Sequence, residues 1–335
     1  MEALQDIRQP QSGEAIVLSG LTKTYGDFVA VNRLDLTVAK GEIFGLLGPN
    51  GAGKTTTILM MLGLTEPTGG DVRVLGLDPR RSSLQVKRRI GYMPDDIGFY
   101  EDRTALDNLI YTARLNGISL PEATARAKEL LNRVGLAEAA RKKTGQFSRG
   151  MRQRLGLADV LIKRPDIIIL DEPTLGIDPE GVRELLELIR SLSREEGLTV
   201  LLSSHHLHQV QQVCDRVGLF VKGRLVACGN LEQLSQALDE DRTVTVDLEI
   251  AAWNDGLQEA VGRLEEVLSI DSRQASSIGG EGRHAVTVVC SRDITPQIAR
   301  LVSEKGELYA ISRRQYGLDD IYHKYFEGGE HHGSR

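Results

Sequence analysis

Apolar and polar positions recur with two different periods along the first 235 residues of the chain. Two short runs, IFGLL from residue 43 and IIIL from residue 167, are apolar throughout, which is typical of strands buried on both faces of a sheet. Between them, residues 103–158 repeat apolar positions with the period of amphipathic helices. This order predicts an α/β domain in which helices cover a mixed sheet.

The last hundred residues follow another pattern. Four strand-like runs lie at 243–250, 268–276, 284–290 and 307–313, and two helical patterns lie at 256–268 and 294–304. The resulting order β-α-β-β-α-β is the ferredoxin-like arrangement. A further helix, LDDIYHKYF, is predicted after Gly317.

Charge marks a boundary between these two regions. The 335 residues carry a net charge of −6, and residues 236–335 hold 11 Lys and Arg against 18 Asp and Glu. The sequence therefore predicts one domain over 15–235 and a smaller acidic domain over 236–335, with residues 1–14 as a disordered tail. An acidic chain of this kind is not expected to bind nucleic acid.

No stretch of the sequence favours a membrane span or a secretory route. The longest apolar runs fall far short of the roughly 18 residues that cross a bilayer, and the N-terminus lacks a basic-then-apolar signal. The three cysteines are too few and too scattered for a disulfide framework or a zinc site. A cytoplasmic chain is expected.

A phosphate-binding loop follows the first apolar run. The segment GPNGAGKT from Gly48 to Thr55 fits G-x-x-x-x-G-K-[ST], with a predicted strand before it and a helix after it. Its N–H groups would surround phosphates, Lys54 would reach the β- and γ-phosphates, and Thr55 would hold Mg²⁺. A glycine-rich turn that binds nothing is the alternative. The predicted nucleotide-binding residues are Gly48, Pro49, Asn50, Gly51, Ala52, Gly53, Lys54, Thr55 and Thr56.

Two adjacent carboxylates follow the second apolar run. Asp171 and Glu172 stand at the carboxyl end of a predicted buried strand, where open α/β sheets bind ligands. Asp171 can hold the metal and Glu172 can orient or deprotonate the attacking water, as phosphoryl transfer requires. An acidic pair after a strand can also serve as a turn or helix cap, but the phosphate loop in the same domain favours the catalytic interpretation.

Between these motifs, QFSRGMRQRL from Gln146 resembles the signature loop of the ATP-binding cassette (ABC) ATPases, and over about 15–235 the motifs follow that family's order and spacing. The resemblance implies a P-loop NTPase cassette with a helical subdomain inserted at about 100–160. It implies that Ser148 and Gly150 contact the γ-phosphate of ATP held by a second subunit. Arg149 replaces a glycine of the family pattern, and its charge could attract phosphate; Met151 replaces a glutamine. The SxGMxQR form resembles cassettes of drug-resistance and ABC-2 type exporters.

Four further residues take roles from this resemblance. Tyr25 would stack on adenine, although a lone exposed tyrosine is often plain surface. Asp95 stands where the family has a glutamine that senses Mg²⁺, and a solvated acidic turn is its alternative. Asp178 would communicate across the dimer, and with Pro179 it is also a sound helix start. His205 would hold the γ-phosphate and the attacking water.

The resemblance thus implies an ATP-binding and ATP-hydrolysing subunit of an ABC transporter of exporter type, with Glu172, His205 and Lys54 as its catalytic residues. Two copies, or one copy and a paralogue, would enclose two ATP molecules with Mg²⁺. A multi-span permease on a separate chain would dock on the helical subdomain and the loop near 95–100, which would hold the protein on the inner face of the cell membrane. The acidic domain would stabilise the dimer or regulate the ATPase, or would only extend the scaffold.

Two other functions compete with this one. A cassette ATPase acting on ribosomes or DNA is opposed by the single cassette, the lack of heptads and the lack of a basic arm. A non-hydrolytic nucleotide sensor is opposed by the presence of both Glu172 and His205.

Overall fold

The computed structural model describes residues 13–230, 233–234, 244–274 and 283–313. The described residues up to 230 form one compact unit, and those from 244 to 313 belong to another. Most of the predicted tail and the predicted helix after Gly317 lie outside the described residues. The first strand begins at Glu14, inside the segment predicted as tail, because its apolar positions pair with two neighbouring strands.

The elements of the first unit are, in chain order, β1 (Glu14–Tyr25), β2 (Phe28–Ala39), β3 (Ile43–Leu47), α1 (Lys54–Met61), β4 (Gly69–Val74), α2 (Ser83–Arg89), β5 (Ile90–Met93), α3 (Ala105–Leu115), α4 (Leu120–Arg133), α5 (Arg149–Leu161), β6 (Ile167–Asp171), α6 (Pro179–Glu196), β7 (Thr199–Ser204), α7 (Leu207–Val210), β8 (Arg216–Val221) and β9 (Arg224–Gly229). A short 3₁₀ turn at Thr144–Gln146 precedes α5.

Two sheets organise this unit. Six strands lie in the order β5-β6-β7-β3-β8-β9, parallel except for β9, and three antiparallel strands lie in the order β2-β1-β4. Every residue of β3, β6 and β7 is buried, as expected for parallel strands covered on both faces. Because these three neighbours are parallel, their carboxyl ends meet at one edge of the sheet. The predicted α/β cassette fold is confirmed.

The core of the unit joins the two sheets around α1. Ile58 on α1, Leu21 on β1, Val31 on β2 and Phe44 on β3 are fully buried and belong to one apolar cluster. Burying such a side chain stabilises the fold by roughly 1.5–3 kcal/mol. The packing therefore fixes the start of α1, and with it the loop that connects β3 to α1.

Helices α3, α4 and α5 fill the chain between β5 and β6. Thr104 caps α3 by accepting a hydrogen bond from the Asp107 N–H at 3.1 Å, and α4 has Pro121 in its first turn. Small residues such as Ala123 and Ala127 face the interior of this group and allow close helix packing. The span corresponds to the helical insertion that the sequence predicts.

The second unit contains β10 (Val244–Ile250), α8 (Asp255–Gly262), β11 (Val267–Gln274), β12 (His284–Cys290), α9 (Thr295–Lys305) and β13 (Leu308–Arg313). Its antiparallel sheet has the order β11-β12-β10-β13, which is the ferredoxin-like order for a β-α-β-β-α-β chain. The predicted helix over 256–268 is too long. It ends at Gly262, after which a turn closed by the Val267 N–H on the Leu264 carbonyl leads into β11.

Both helices of this unit contribute to one apolar core. Leu257 and Val261 of α8, and Ile298 and Val302 of α9, belong to a single cluster with buried strand residues such as Val288. None of the helices in the described ranges of the chain is both long and apolar enough to cross a membrane.

Candidate active site

The loop between β3 and α1 approaches two other backbone segments so closely that it requires glycine. A Cβ on Gly48 would lie 2.3 Å from the Phe220 carbonyl oxygen, and one on Gly53 would lie 2.3 Å from the Ala30 carbonyl oxygen. Gly53 also has φ of +106°, in the region that only glycine adopts freely. The loop is thus held in a fixed curve at the N-terminus of α1, where backbone N–H groups favour an anion.

Lys54 lies inside this curve. Its ammonium donates hydrogen bonds to the carbonyl oxygens of Gly48 at 2.6 Å and Pro49 at 3.2 Å, and lies 3.4 Å from Glu172 Oε1. The side chain is only 6% exposed. A buried cation that is anchored by the loop and paired to a carboxylate provides a fixed positive charge for bound phosphate.

Thr55 and Asp171 bring two oxygen ligands together from distant parts of the sequence. The Thr55 hydroxyl donates to Asp171 Oδ2 at 2.9 Å, while Asp171 Oδ1 is buried and makes no hydrogen bond. Burial raises the pKa of Asp171, and the neighbouring hydroxyls of Ser203 and Thr55 oppose that shift. A hydroxyl beside a carboxylate with an unused oxygen fits the hard oxygen ligands that Mg²⁺ prefers.

Glu172 and His205 form a pair across β6 and β7. Glu172 Oε2 lies 2.8 Å from His205 Nδ1, and the backbone N–H of Glu172 donates to the Ser203 carbonyl oxygen at 3.0 Å. Each residue directly follows its strand, and the parallel pairing of Asp171 with Ser203 brings the two side chains together. The pairing of Nδ1 leaves Nε2 of the imidazole for another partner.

The backbone of Glu172 is strained. Its φ of +49° lies in the left-handed region, which costs a non-glycine residue about 1–2 kcal/mol. Residues held in this way concentrate at functional sites because the surrounding structure must over-determine them. The conformation turns the carboxylate of Glu172 toward Lys54 and His205 at the carboxyl edge of the sheet.

His206 lies next to this pair without joining it. Its ring centroid is 3.9 Å from that of His205, and its N–H donates to the Ser204 hydroxyl at 3.0 Å. Burial, followed by the neighbouring His205, lowers the pKa of His206. The structure thus pairs Glu172 with His205, the histidine that the resemblance selects.

Asp95 lies at the same cleft as the phosphate loop, whereas Tyr25 does not line it. The cleft is bordered by the loop, Asp171 and Glu172, and also by Asp95, Phe28 and Ala30. Tyr25 ends β1, is half exposed and pairs with Phe28 across the hairpin. Phe28 and Ala30 are not predicted from the sequence, because no local pattern shows which residues of the β1–β2 hairpin reach the phosphate loop.

Ser148, Gly150 and Asp178 lie at a different cleft. Ser148 caps α5 by accepting the Met151 N–H at 3.3 Å, and Asp178 caps α6 by accepting the Gly181 N–H at 3.1 Å. These residues line one depression that contains no residue of the phosphate loop. Within a single chain, the two sets of predicted nucleotide-binding residues are therefore separate.

A phosphate loop, a buried lysine, a hydroxyl–carboxylate pair and a glutamate–histidine pair at the carboxyl edge of a parallel sheet define a P-loop ATPase. The family pattern described as "ABC transporter" matches residues 31–175. A daunorubicin resistance ATP-binding protein of Streptomyces coeruleorubidus is 36% identical over 310 residues, which cover 92% of this chain and 94% of that protein.

Two further comparisons agree. A bacitracin transport ATP-binding protein of Bacillus licheniformis is 43% identical over 211 residues, which cover 63% of this chain and 68% of the relative. A solved dimeric ATP-binding cassette in a post-hydrolysis state, bound to ADP and Pi, superposes with a TM-score of 0.59 at 26% identity, covering 64% of this chain and 98% of that one.

The chain belongs to the ABC transporter family. It is an ATP-binding and ATP-hydrolysing subunit of an ABC transporter of exporter type, as the resemblance implies, and the interpretation as an ATPase of ribosomes or DNA is set aside.

Proposed function

We propose that two copies of this chain, or one copy and a paralogue, enclose two ATP molecules, each held between the phosphate loop of one subunit and Ser148 and Gly150 of the other. The observation that carries this proposal is the separation of the two predicted nucleotide-binding surfaces within one chain. Each surface is incomplete by itself, and a two-fold arrangement would bring one against the other. The dimeric state of a solved relative supports the same arrangement.

Hydrolysis takes place at the carboxyl edge of the parallel sheet. Glu172 orients and deprotonates the attacking water, and its hydrogen bond to Nδ1 of His205 directs Nε2 toward the γ-phosphate. Lys54 offsets the charge that develops on the transferred phosphoryl group. Because Glu172 contacts both of the others, the three side chains act as one unit.

Thr55 and Asp171 would hold Mg²⁺, and Asp95 lies on the same cleft. When bound, the metal would supply positive charge to offset the charge of the phosphates. The unused Oδ1 of Asp171 is the carboxylate oxygen available for this task.

A permease on a separate chain docks on the helical insertion and keeps the protein at the inner face of the cell membrane. The surface near the Asp95 loop exposes Tyr100 and Tyr111, whose rings pack edge to face with centroids 5.2 Å apart, and Leu115 is also exposed. An exposed apolar and aromatic surface of this kind suits a partner helix. Dimer closure on ATP would move this surface and so drive export of a substrate.

The decisive experiment is Glu172→Gln, which preserves the shape of the side chain and removes its basicity. We expect ATP turnover to fall by about 10²–10³-fold, and the variant to accumulate as an ATP-bound dimer in size-exclusion chromatography. Glu187→Gln, at an exposed position of α6, is the matched control and should behave as wild type. Sustained hydrolysis by Glu172→Gln would contradict the assignment of the base.

Purification of the complex tests the partner. A multi-span membrane protein that co-purifies with the chain, and is lost in a Leu115→Asp variant with unchanged ATPase activity, would support the docking surface. Recovery of ribosomes or DNA instead would overturn the transporter function.

A further inference from the structure

A cavity separate from the catalytic cleft lies at the opposite edge of the six-stranded sheet. Its wall includes Asp166, directly before β6, and Thr199, the first residue of β7. Glu172 and His205 directly follow the same two parallel strands, so they lie at the other edge. The cavity has a volume of about 540 Å³, within the range of sites for small molecules. A ligand bound here would not compete with a nucleotide at the phosphate loop.

The helical insertion forms another part of the wall. α4 contributes Glu129 and Leu130, and the C-terminal end of α5 contributes Leu161 and Ile162. The side chains of Leu130, Leu161 and Ile162 are buried and provide apolar surface beside the charged residues. A ligand in this cavity therefore contacts the insertion and the sheet at once.

Most charged side chains of the wall are already paired. Three ion pairs involve them: Arg89 with Asp166, Arg126 with Glu122, and Arg133 with Glu196. Lys40, Arg164 and Glu129 also belong to the wall, and they form no ion pair within the described ranges. The cavity thus offers two unpaired positive charges and one unpaired negative charge to a ligand.

Arg164 has a backbone conformation that favours glycine. It lies in the turn after α5, where its N–H donates to the Leu161 carbonyl oxygen at 2.9 Å, and its φ is +54°. Glycine is common with a left-handed backbone after a helix, because a side chain there adds strain. Leu75, on the same cavity, has φ of +51°. Because strained non-glycine residues concentrate at functional sites, an arginine at residue 164 indicates a use for its guanidinium.

We propose that this cavity binds a small phosphate monoester. Such an ester carries close to two negative charges at pH 7, which matches the two unpaired cations. Arg164 binds two phosphate oxygens with parallel hydrogen bonds, and Lys40 adds a point charge. Glu129 accepts a hydrogen bond from a hydroxyl or amino group of the ester, and the apolar part of the wall contacts its carbon atoms.

The test measures binding of glucose 6-phosphate to the full chain by isothermal titration calorimetry, with saturating ADP to fill the phosphate loop. Glucose and inorganic phosphate, each lacking one part of the ester, are the comparison probes and should bind more weakly. Lys40→Ala and Arg164→Gly should each weaken binding of the ester by about tenfold. Lys128→Ala, at an exposed position of α4 outside the cavity, is the matched control and should leave binding unchanged.

Two of the variants sharpen the result. Glu129→Ala should weaken binding of glucose 6-phosphate but not of inorganic phosphate, because only the ester brings a hydroxyl. Arg164→Gly relieves the left-handed strain, so its unfolding temperature without ligand should not fall below that of wild type.

Three outcomes would overturn the proposal. The first is no binding of glucose 6-phosphate, and the second is an affinity that Lys40→Ala and Arg164→Gly leave unchanged. The third is binding that occurs only without ADP, because it would place the ester at the phosphate loop.

Discussion

The two units of this chain differ in the polar groups that they bury. In the first, Lys54, Asp171 and Glu172 are at most 9% exposed, and all three meet at one edge of the sheet. In the described part of the second, the buried positions are aliphatic side chains and Cys290, with Thr245 as the buried polar residue. Both units have an apolar core, so the units differ in their buried polar residues and not in the presence of a packed core.

In the first unit, the residues needed for chemistry lower the stability of the fold. Burying a charge is unfavourable unless it is paired, and removing one partner of a buried pair costs more than the pair contributes. Backbone strain follows the same division, since the described non-glycine residues with positive φ all lie in the first unit, Glu172 among them. The described part of the second unit has neither buried charges nor non-glycine residues with positive φ.

The largest expected effect comes from removing the buried cation of the first unit. Lys54→Ala should lower ATP turnover by about 10²–10³-fold, because it removes the charge that faces the phosphates and leaves Glu172 buried without its cation. Phosphate release at saturating ATP measures the effect. Lys305→Ala, at the exposed end of α9, is the control from the second unit, and an equal loss there would contradict the contrast.

Removing the second unit tests whether it is more than scaffold. If it stabilises the dimer, deletion of residues 237–335 in the Glu172→Gln background should raise the ATP needed for half-dimerisation about tenfold, or about 1.4 kcal/mol. Light scattering measures this, with monomer ATP binding as the control for a folded cassette. Unchanged dimerisation, ATPase rate and transport would leave the unit with a scaffold role alone.

A buried carboxylate in the helical insertion predicts pH-dependent stability. Burial raises the pKa of Asp159 to about 6, against the lower value of an unfolded chain. Folding therefore favours the protonated carboxyl group of Asp159. The contribution of this group to the free energy of unfolding is greatest at low pH, falls as pH rises through about 6, and is constant above that. Asp159→Asn should therefore be more stable than wild type by about 2 kcal/mol at about pH 8.

Urea unfolding at about pH 8 and about pH 4 measures this difference, which should shrink at the lower pH. Asp102→Asn changes an exposed carboxylate of the same region and should show no such dependence. A pH-independent difference between wild type and Asp159→Asn would exclude ionisation of Asp159 as its cause.

The smallest expected effect is the loss of stability when a helix cap is removed, and one cap from each unit can be compared. Asp178 accepts the Gly181 N–H at 3.1 Å on α6, and Asn254 accepts the Leu257 N–H at 3.0 Å on α8. Replacing either with alanine should cost about 1 kcal/mol of unfolding free energy. Only Asp178→Ala should also lower cooperative ATP turnover, if Asp178 acts across the dimer.

Asp178→Ser separates the two roles, because serine keeps the cap and loses the carboxylate. Recovery of stability without recovery of turnover is the expected result, measured by thermal unfolding and phosphate release. Full recovery of both would reduce Asp178 to a structural cap.

Much of the site was open to prediction because its signals are local. The phosphate loop needs glycines, a lysine and a threonine at fixed spacing between a strand and a helix, and all of these are consecutive in the chain. The acidic pair follows a run of apolar residues that can only be a buried strand or part of a buried helix. The strand order of the second unit also follows from a simple alternation of elements.

Other features depend on residues far apart in sequence. The lengths of helices were less predictable, because α8 ends where the turn into β11 forms and not where the apolar period fades. Phe28 reaches the cleft because the β1–β2 hairpin folds toward the phosphate loop, and no local pattern encodes that direction.

The sequence by itself determined which chemical groups this ATPase uses, since spacing alone specifies an anion-binding loop and a carboxylate at a strand end. The tertiary structure decided which of them meet. The parallel register of β6 and β7 sets Glu172 against His205, and the Phe220 carbonyl makes glycine necessary at residue 48. Spacing in the sequence does not determine the distance between residues that lie far apart in the chain. That distance is set by the packing of neighbouring strands in the sheet.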